Sequence, residues 1–155
     1  ILAILGTAAL GLFSFANDSS FLDLPFSNSN SVLPNKIATL NQEIECFDGI
    51  TLKVSSVVFQ NGIVSITSTG HNDTDEDFIF SSDSFELSGQ NTSNLTNHDY
   101  LSPTAAWSSV AEPNSDFTLY QSYSLNFTDY LYTYTLTLFD KDHKKAGQFL
   151  LVSDN

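Results

Sequence analysis

A chain of 155 residues is long enough for one domain, or for one domain with a tail. Eighteen carboxylates face five lysines and no arginine, leaving a formal charge of −13. A surface of that sign repels phosphate backbones and anionic lipid headgroups, so nucleic-acid binding is excluded.

The first segment, Ile1 to Ala16 (ILAILGTAALGLFSFA), carries no charge, and the chain contains no methionine. The expectation is that an upstream stretch has been removed by processing. As a helix these residues would reach about 24 Å, short of a hydrocarbon core of roughly 30 Å, and they include Gly6 and Gly11. A signal-peptide reading is supported by the apolar run and the small-x-small ending Ser14-Phe15-Ala16. As an extended strand the segment would reach about 50 Å, enough to leave one domain and lie against the next. Its large side chains, Ile1, Leu2, Ile4, Leu5, Leu10, Leu12, Phe13 and Phe15, would then contribute about 1.5–3 kcal/mol each when buried. They are the expected subunit interface.

Residues 17–40 mix Ser and Asn with Pro25 and Pro34 and show neither helical nor alternating periodicity, so they read as a linker or irregular segment. From residue 41 to the end the chain reads as one β-sandwich domain. Cys46, the single cysteine, excludes an intrachain disulfide and suits a small buried side chain in the run Ile44-Glu45-Cys46-Phe47. Thr51–Gln60 and Ile63–Thr69 flank Asn61-Gly62, the dipeptide suited to a type I′ hairpin turn. The alternation slips at Ser55-Ser56, which predicts a bulge. Short strands are predicted at Phe78–Phe80, Phe85–Leu87 and Ala105–Val110. A long strand carries Phe117, Leu119, Tyr123, Leu125 and Phe127 on one face, broken only by Gln121. Tyr132, Tyr134, Leu136 and Leu138 alternate with threonines, the pattern of a half-buried strand. A charged turn, Asp140 to Lys145, leads to a last strand at Gly147–Val152. Seven to nine strands and no helix predict an all-β fold, an immunoglobulin-like β-sandwich with an extended apolar N-terminal tail.

No nucleophile elbow, zinc motif, phosphate loop or Walker sequence occurs, so no catalytic, cofactor-binding or metal-ligating residues are assigned and an enzyme is not expected. Asp73-Thr74-Asp75-Glu76-Asp77 has alternating carboxylates, yet Phe78 and Ser84 stand where an EF-hand needs Gly and Glu. A solvated loop is the plainer reading, with an irregular Ca²⁺ site as its alternative. His71, His98 and His143 read as surface histidines. The row Tyr120, Tyr123, Tyr130, Tyr132 and Tyr134 reads as core packing rather than a sugar platform. Lys141, Lys144 and Lys145 read as a charged hairpin tip that could also meet a neighbour's carboxylates. Five sequons, at Asn17, Asn72, Asn91, Asn94 and Asn126, predict N-glycosylation and an extracellular, cell-surface location.

The run Asp48–Leu87 resembles the opening of the immunoglobulin-like surface domains of many bacterial and archaeal extracytoplasmic proteins: a strand ending V-S-S-V, a hairpin, an Asn/Asp-rich loop, then F-x-F-S-S-x-D-F-x-L. The whole arrangement of apolar tail, linker and sequon-bearing sandwich resembles subunits of archaeal extracellular filaments. In donor-strand threads and pili, the tail completes a neighbour's sheet. In type IV pilins, a long apolar helix forms the filament core, a pattern from which Pro25, Pro34 and the short apolar run depart. The resemblance implies a homopolymeric structural subunit joined through its N-terminal tail. The competing reading from composition is a membrane-tethered surface glycoprotein domain that binds a ligand or partner through its loops.

Overall fold

The structure, a computed structural model, describes residues 37–91, 94–125 and 132–151. Within them the chain is all β, apart from a 3₁₀ turn at Ser82–Ser84. In chain order the strands are β1 Ile37–Ala38, β2 Ile44–Phe47, β3 Ile50–Gln60, β4 Ile63–Asn72, β5 Phe78–Ser81 and β6 Phe85–Asn91. They are followed by β7 Asn94–Leu101, β8 Ser108–Ala111, β9 Ser115–Ser124, β10 Tyr132–Phe139 and β11 Lys145–Leu151. One sheet has the order β9-β4-β3-β2, the other β1-β11-β10-β6-β7, and β5 pairs with β8 as a separate ribbon. Every pairing is antiparallel except β1 with β11. This is an immunoglobulin-like sandwich, with β3, β4 and β9 in one sheet facing β6, β10 and β11 in the other.

The hairpin β3–β4 forms because Asn61 and Gly62 both take positive φ, 53° and 76°, the type I′ geometry whose twist matches the flanking strands. The register shifts between Val54 and Ser56, where the alternation slips, and the Ser55 hydroxyl donates to the Thr67 carbonyl at 3.1 Å. Inward positions on both sheets make the core. Leu52, Val54, Ile66 and Leu119 come from one side and Leu87, Leu136, Leu138 and Phe149 from the other, each at most 1% exposed. Cys46 is fully buried among them. Each such aliphatic or aromatic side chain contributes about 1.5–3 kcal/mol by leaving water.

Three expectations need correction. The irregular segment does not run to residue 40, since Ile37 and Ala38 pair with Gln148 and Phe149 and Ala38 is buried. Eleven strands are present among the described residues instead of seven to nine, because β1, β2 and β7 lack an alternating apolar pattern long enough to read. The strand expected at Ala105–Val110 starts only at Ser108, because its partner β5 ends opposite it at Ser81, where the 3₁₀ turn begins; the Trp107 ring packs against Phe85 at 5.9 Å. Among the described residues no helix is long and apolar enough to cross a membrane.

Candidate functional site

The two ends of the sandwich differ. At one, the tip end, the turn after β2, the loop after β4 and the β10–β11 hairpin tip come together; the Asp73 amide donates to the Gly49 carbonyl at 2.7 Å, and Phe47 and Phe139 face one cavity. The other, the turn end, carries Asn61-Gly62, whose carbonyl at Gly62 accepts from the Leu125 amide at 2.8 Å. Strand β1 runs parallel to β11, which starts at the tip, so the chain enters β1 from the tip end.

Along β3 only Ile50–Leu52 pairs with β2, and the Val54 carbonyl accepts from the Asn41 amide at 2.8 Å. Beyond it, Ser56–Gln60 has no strand on its outer side among the described residues. The inward side chains there, Val57 and Phe59, pack against the core but stay half-buried, with the Phe59 ring 5.1 Å from that of Tyr134 at a tilt of 38°. Val58, pointing outward, is half exposed. An uncovered strand edge with apolar side chains at its inner lip is a template for another strand.

A second feature lies at the tip end, where a cavity of about 570 Å³ opens between the sheets and the ribbon. Its walls are aromatic: Phe47 and Phe78 lie 4.8 Å apart between ring centroids, and Phe78 and Phe80 also 4.8 Å. On the opposite wall Phe139 is stacked by the His143 ring at 4.3 Å and 8°. The rim holds Asp83 and Ser84 from the 3₁₀ turn and Asp140, Lys141 and His143 from the hairpin tip. The tip is tightly built, since Asp140 Oδ1 accepts from the amides of Asp142 and Lys144, both at 2.8 Å, and His143 takes φ 59° to close the turn. Ile79, at the cavity edge, is 65% exposed and lies across from the exposed Val110 on the ribbon. Sequence reasoning did not find this site, because each phenylalanine by itself looks like an ordinary strand residue.

The remaining sequence-derived candidates fall as follows. Ile1, Leu2, Ile4, Leu5, Leu10, Leu12, Phe13, Phe15, Asn17 and Asn126 lie outside the described residues. Asn91 and Asn94 stand at the facing ends of β6 and β7. Asn72 must be corrected as a glycan acceptor. It is fully buried, its Nδ2 donates to the Glu76 and Ala111 carbonyls, both at 2.8 Å, and its Oδ1 accepts from Thr74 N and Oγ1. These bonds fold the Asp73–Asp77 loop, with Asp75 Oδ1 accepting from Asn114 Nδ2 at 3.3 Å. Among the described residues no group of three or more His, Cys, Asp and Glu side chains could hold a metal ion. His71 Nδ1 and Asp116 Oδ1 form an exposed pair at 2.8 Å. Of the tyrosine row, Tyr123 and Tyr134 are buried, whereas Tyr120 is 74% exposed and points away from the core. Burial pushes the Tyr123 phenol well above its ordinary value.

No protein-family model matches the chain, and no curated protein matches it. Among solved structures, the yjhA protein of Bacillus subtilis aligns with a TM-score of 0.50 at 11% identity, over 76% of this chain and 99% of that one. The ycdA protein of B. subtilis aligns at 0.48 and 12% identity, over 70% of this chain and 38% of its own. A β-glucosidase from Kluyveromyces marxianus gives 0.43 and 10% identity, over 68% of this chain and 14% of its own. At such identities the likeness to yjhA is one of fold, and fold by itself assigns no activity.

Proposed function

We propose that the chain is a structural subunit of an extracellular, cell-surface filament, in which Ile1–Phe15 of one copy adds as a strand to the sandwich of the next. The observation that carries this reading is the outer edge of β3 at Ser56–Gln60, unpaired among the described residues, with Val57 and Phe59 half-buried behind it. An added strand there gains main-chain hydrogen bonds along about 17 Å of edge and covers those two side chains with alternate residues of its own. Strand β1 runs from the tip end, whereas this edge lies at the turn end. A copy stacked on the tip end presents its open edge to the incoming tail. Donor and acceptor surfaces differ, so the contact is heterologous and propagates without closing. The charge of −13 and N-glycans at Asn17, Asn91, Asn94 and Asn126 would keep such a polymer hydrated and dispersed.

The test is electron microscopy and light scattering of the full chain against Val57→Lys and Phe59→Lys, which place a charge at the lip of the acceptor edge, with Val110→Lys as a surface control. Fibres from the parent and control but not from the two lip variants are expected. A version lacking residues 1–16 should be monomeric and should bind a synthetic Ile1–Ala16 peptide that raises its melting temperature. A peptide without effect, together with a parent chain that stays monomeric at all concentrations, would leave the membrane-tethered surface domain as the better account.

A further inference from the structure

The aromatic cavity at the tip end has no part in strand addition and lies at the opposite end of the sandwich from the open edge. We propose that it binds a cationic amphiphile: a small ligand with an ammonium head on a short aromatic or alkyl body. Its volume, about 570 Å³, lies within the range of small-molecule sites, and its walls combine apolar surface with a few polar groups at the mouth. Phe47, Phe78 and Phe139 are only half-buried and leave ring surface open to the cavity, which costs free energy unless an apolar body covers it. Ring faces carry the negative part of the quadrupole and so favour a cation over a neutral or anionic group.

The mouth repeats that preference. Two carboxylates, Asp83 and Asp140, face one ammonium, Lys141, which is exposed at the hairpin tip. The chain's charge of −13 adds a long-range field that concentrates cations and depletes anions around it. The walls are also held in place before any ligand arrives. The Asp140 carboxylate is fixed by two backbone amides, the His143 ring lies flat on Phe139, and Asp83 sits in a 3₁₀ turn closed by the Phe85 amide on the Ser82 carbonyl. A preformed site spends little binding free energy on ordering itself. The body of the ligand lies between the Phe47–Phe78 wall and Phe139, with its ammonium toward Asp83.

Three compounds with one body and different heads test this on the full chain: 4-phenylbutylamine, 4-phenylbutanol and 4-phenylbutyrate, followed by calorimetry and saturation-transfer NMR. The amine should bind about ten-fold more tightly than the alcohol, and the carboxylate most weakly. Asp83→Asn, a change at an exposed position, should bring the amine down to the affinity of the alcohol and leave the alcohol unchanged. Phe139→Ala should weaken all three, while Val110→Ser should alter none. An alcohol that binds as well as the amine, a carboxylate that binds best, an Asp83→Asn variant that keeps the amine preference, or no saturable binding by any of the three would each overturn the proposal. None of these outcomes depends on whether the chain forms fibres.

Discussion

The Tyr123 hydroxyl donates a 2.6 Å hydrogen bond to Oε1 of Gln121, two residues earlier on the same inward face of β9. Both side chains are almost fully buried, and the Gln121 Nε2 has no hydrogen-bond partner among the described residues. A buried donor left unpaired costs about 1–3 kcal/mol. Gln121→Leu alone removes that orphan but strips the tyrosine of its acceptor, so little net change is expected. Gln121→Leu with Tyr123→Phe removes both polar groups at nearly constant volume and should stabilise the fold by about 1–2 kcal/mol in urea unfolding. A double variant less stable than the parent would show that the polar pair contributes more than it costs.

The same burial gives the alkaline limb of stability a definite sign. The Tyr123 phenol is raised in the folded chain because desolvation disfavours the phenolate. Above about pH 10 the unfolded chain releases this proton while the folded chain keeps it, so stability falls as pH rises, with a slope approaching about 1.4 kcal/mol per pH unit. Below that pH both states hold the proton and the contribution is constant. Tyr123→Phe should therefore flatten the loss of stability between about pH 10 and 12 relative to the parent. Identical alkaline limbs for the two proteins would contradict it.

What could be read in advance was what local chemistry dictates. Asn61-Gly62 announces its turn because few other pairs accept two positive φ values, and the slip at Ser55-Ser56 announces the bulge because alternation is strictly two-fold. Tyr132 to Leu138 could hardly be anything but a strand with one face inward. By contrast, β1 is two residues long and exists only through parallel pairing with a strand over a hundred positions away, so Ile37 and Ala38 leave no local signature. The segment Asn94–Leu101 (NLTNHDYL) is a polar edge strand whose sequence resembles a loop. The tip-end cavity assembles Phe47, Phe78 and Phe139 from three separate strands, and only the tertiary fold reveals that their rings face a common space.

Gly70 on β4 leaves no room for a side chain. A Cβ there would lie 2.1 Å from the Thr51 carbonyl oxygen and 2.6 Å from Cζ of Phe117. The ring could shift, but the carbonyl belongs to the β3 backbone and is held by the ladder. Gly70→Ala should cost about 2–4 kcal/mol, measured by thermal or urea unfolding. Trimming the ring with Phe117→Leu in the same chain should fail to restore stability, since the backbone clash remains. Recovery in that double variant would place the strain on the ring alone.

Asn72 sits in a sequon yet serves the interior, and the two roles exclude each other. A glycan replaces one hydrogen on Nδ2, and that nitrogen spends both hydrogens on the Glu76 and Ala111 carbonyls from a fully buried position. Attachment would break one bond and force a bulky sugar into the packing beneath the Asp73–Asp77 loop. Glycopeptide mass spectrometry of folded protein from a glycosylating host should therefore find Asn72 unmodified, whichever other sequons carry sugar. Asn72→Asp, which keeps the acceptor for Thr74 but loses both donations and adds a buried charge, should destabilise by about 2–4 kcal/mol. Detection of an occupied Asn72 in protein that melts like the unmodified form would mean that this residue does not anchor the loop.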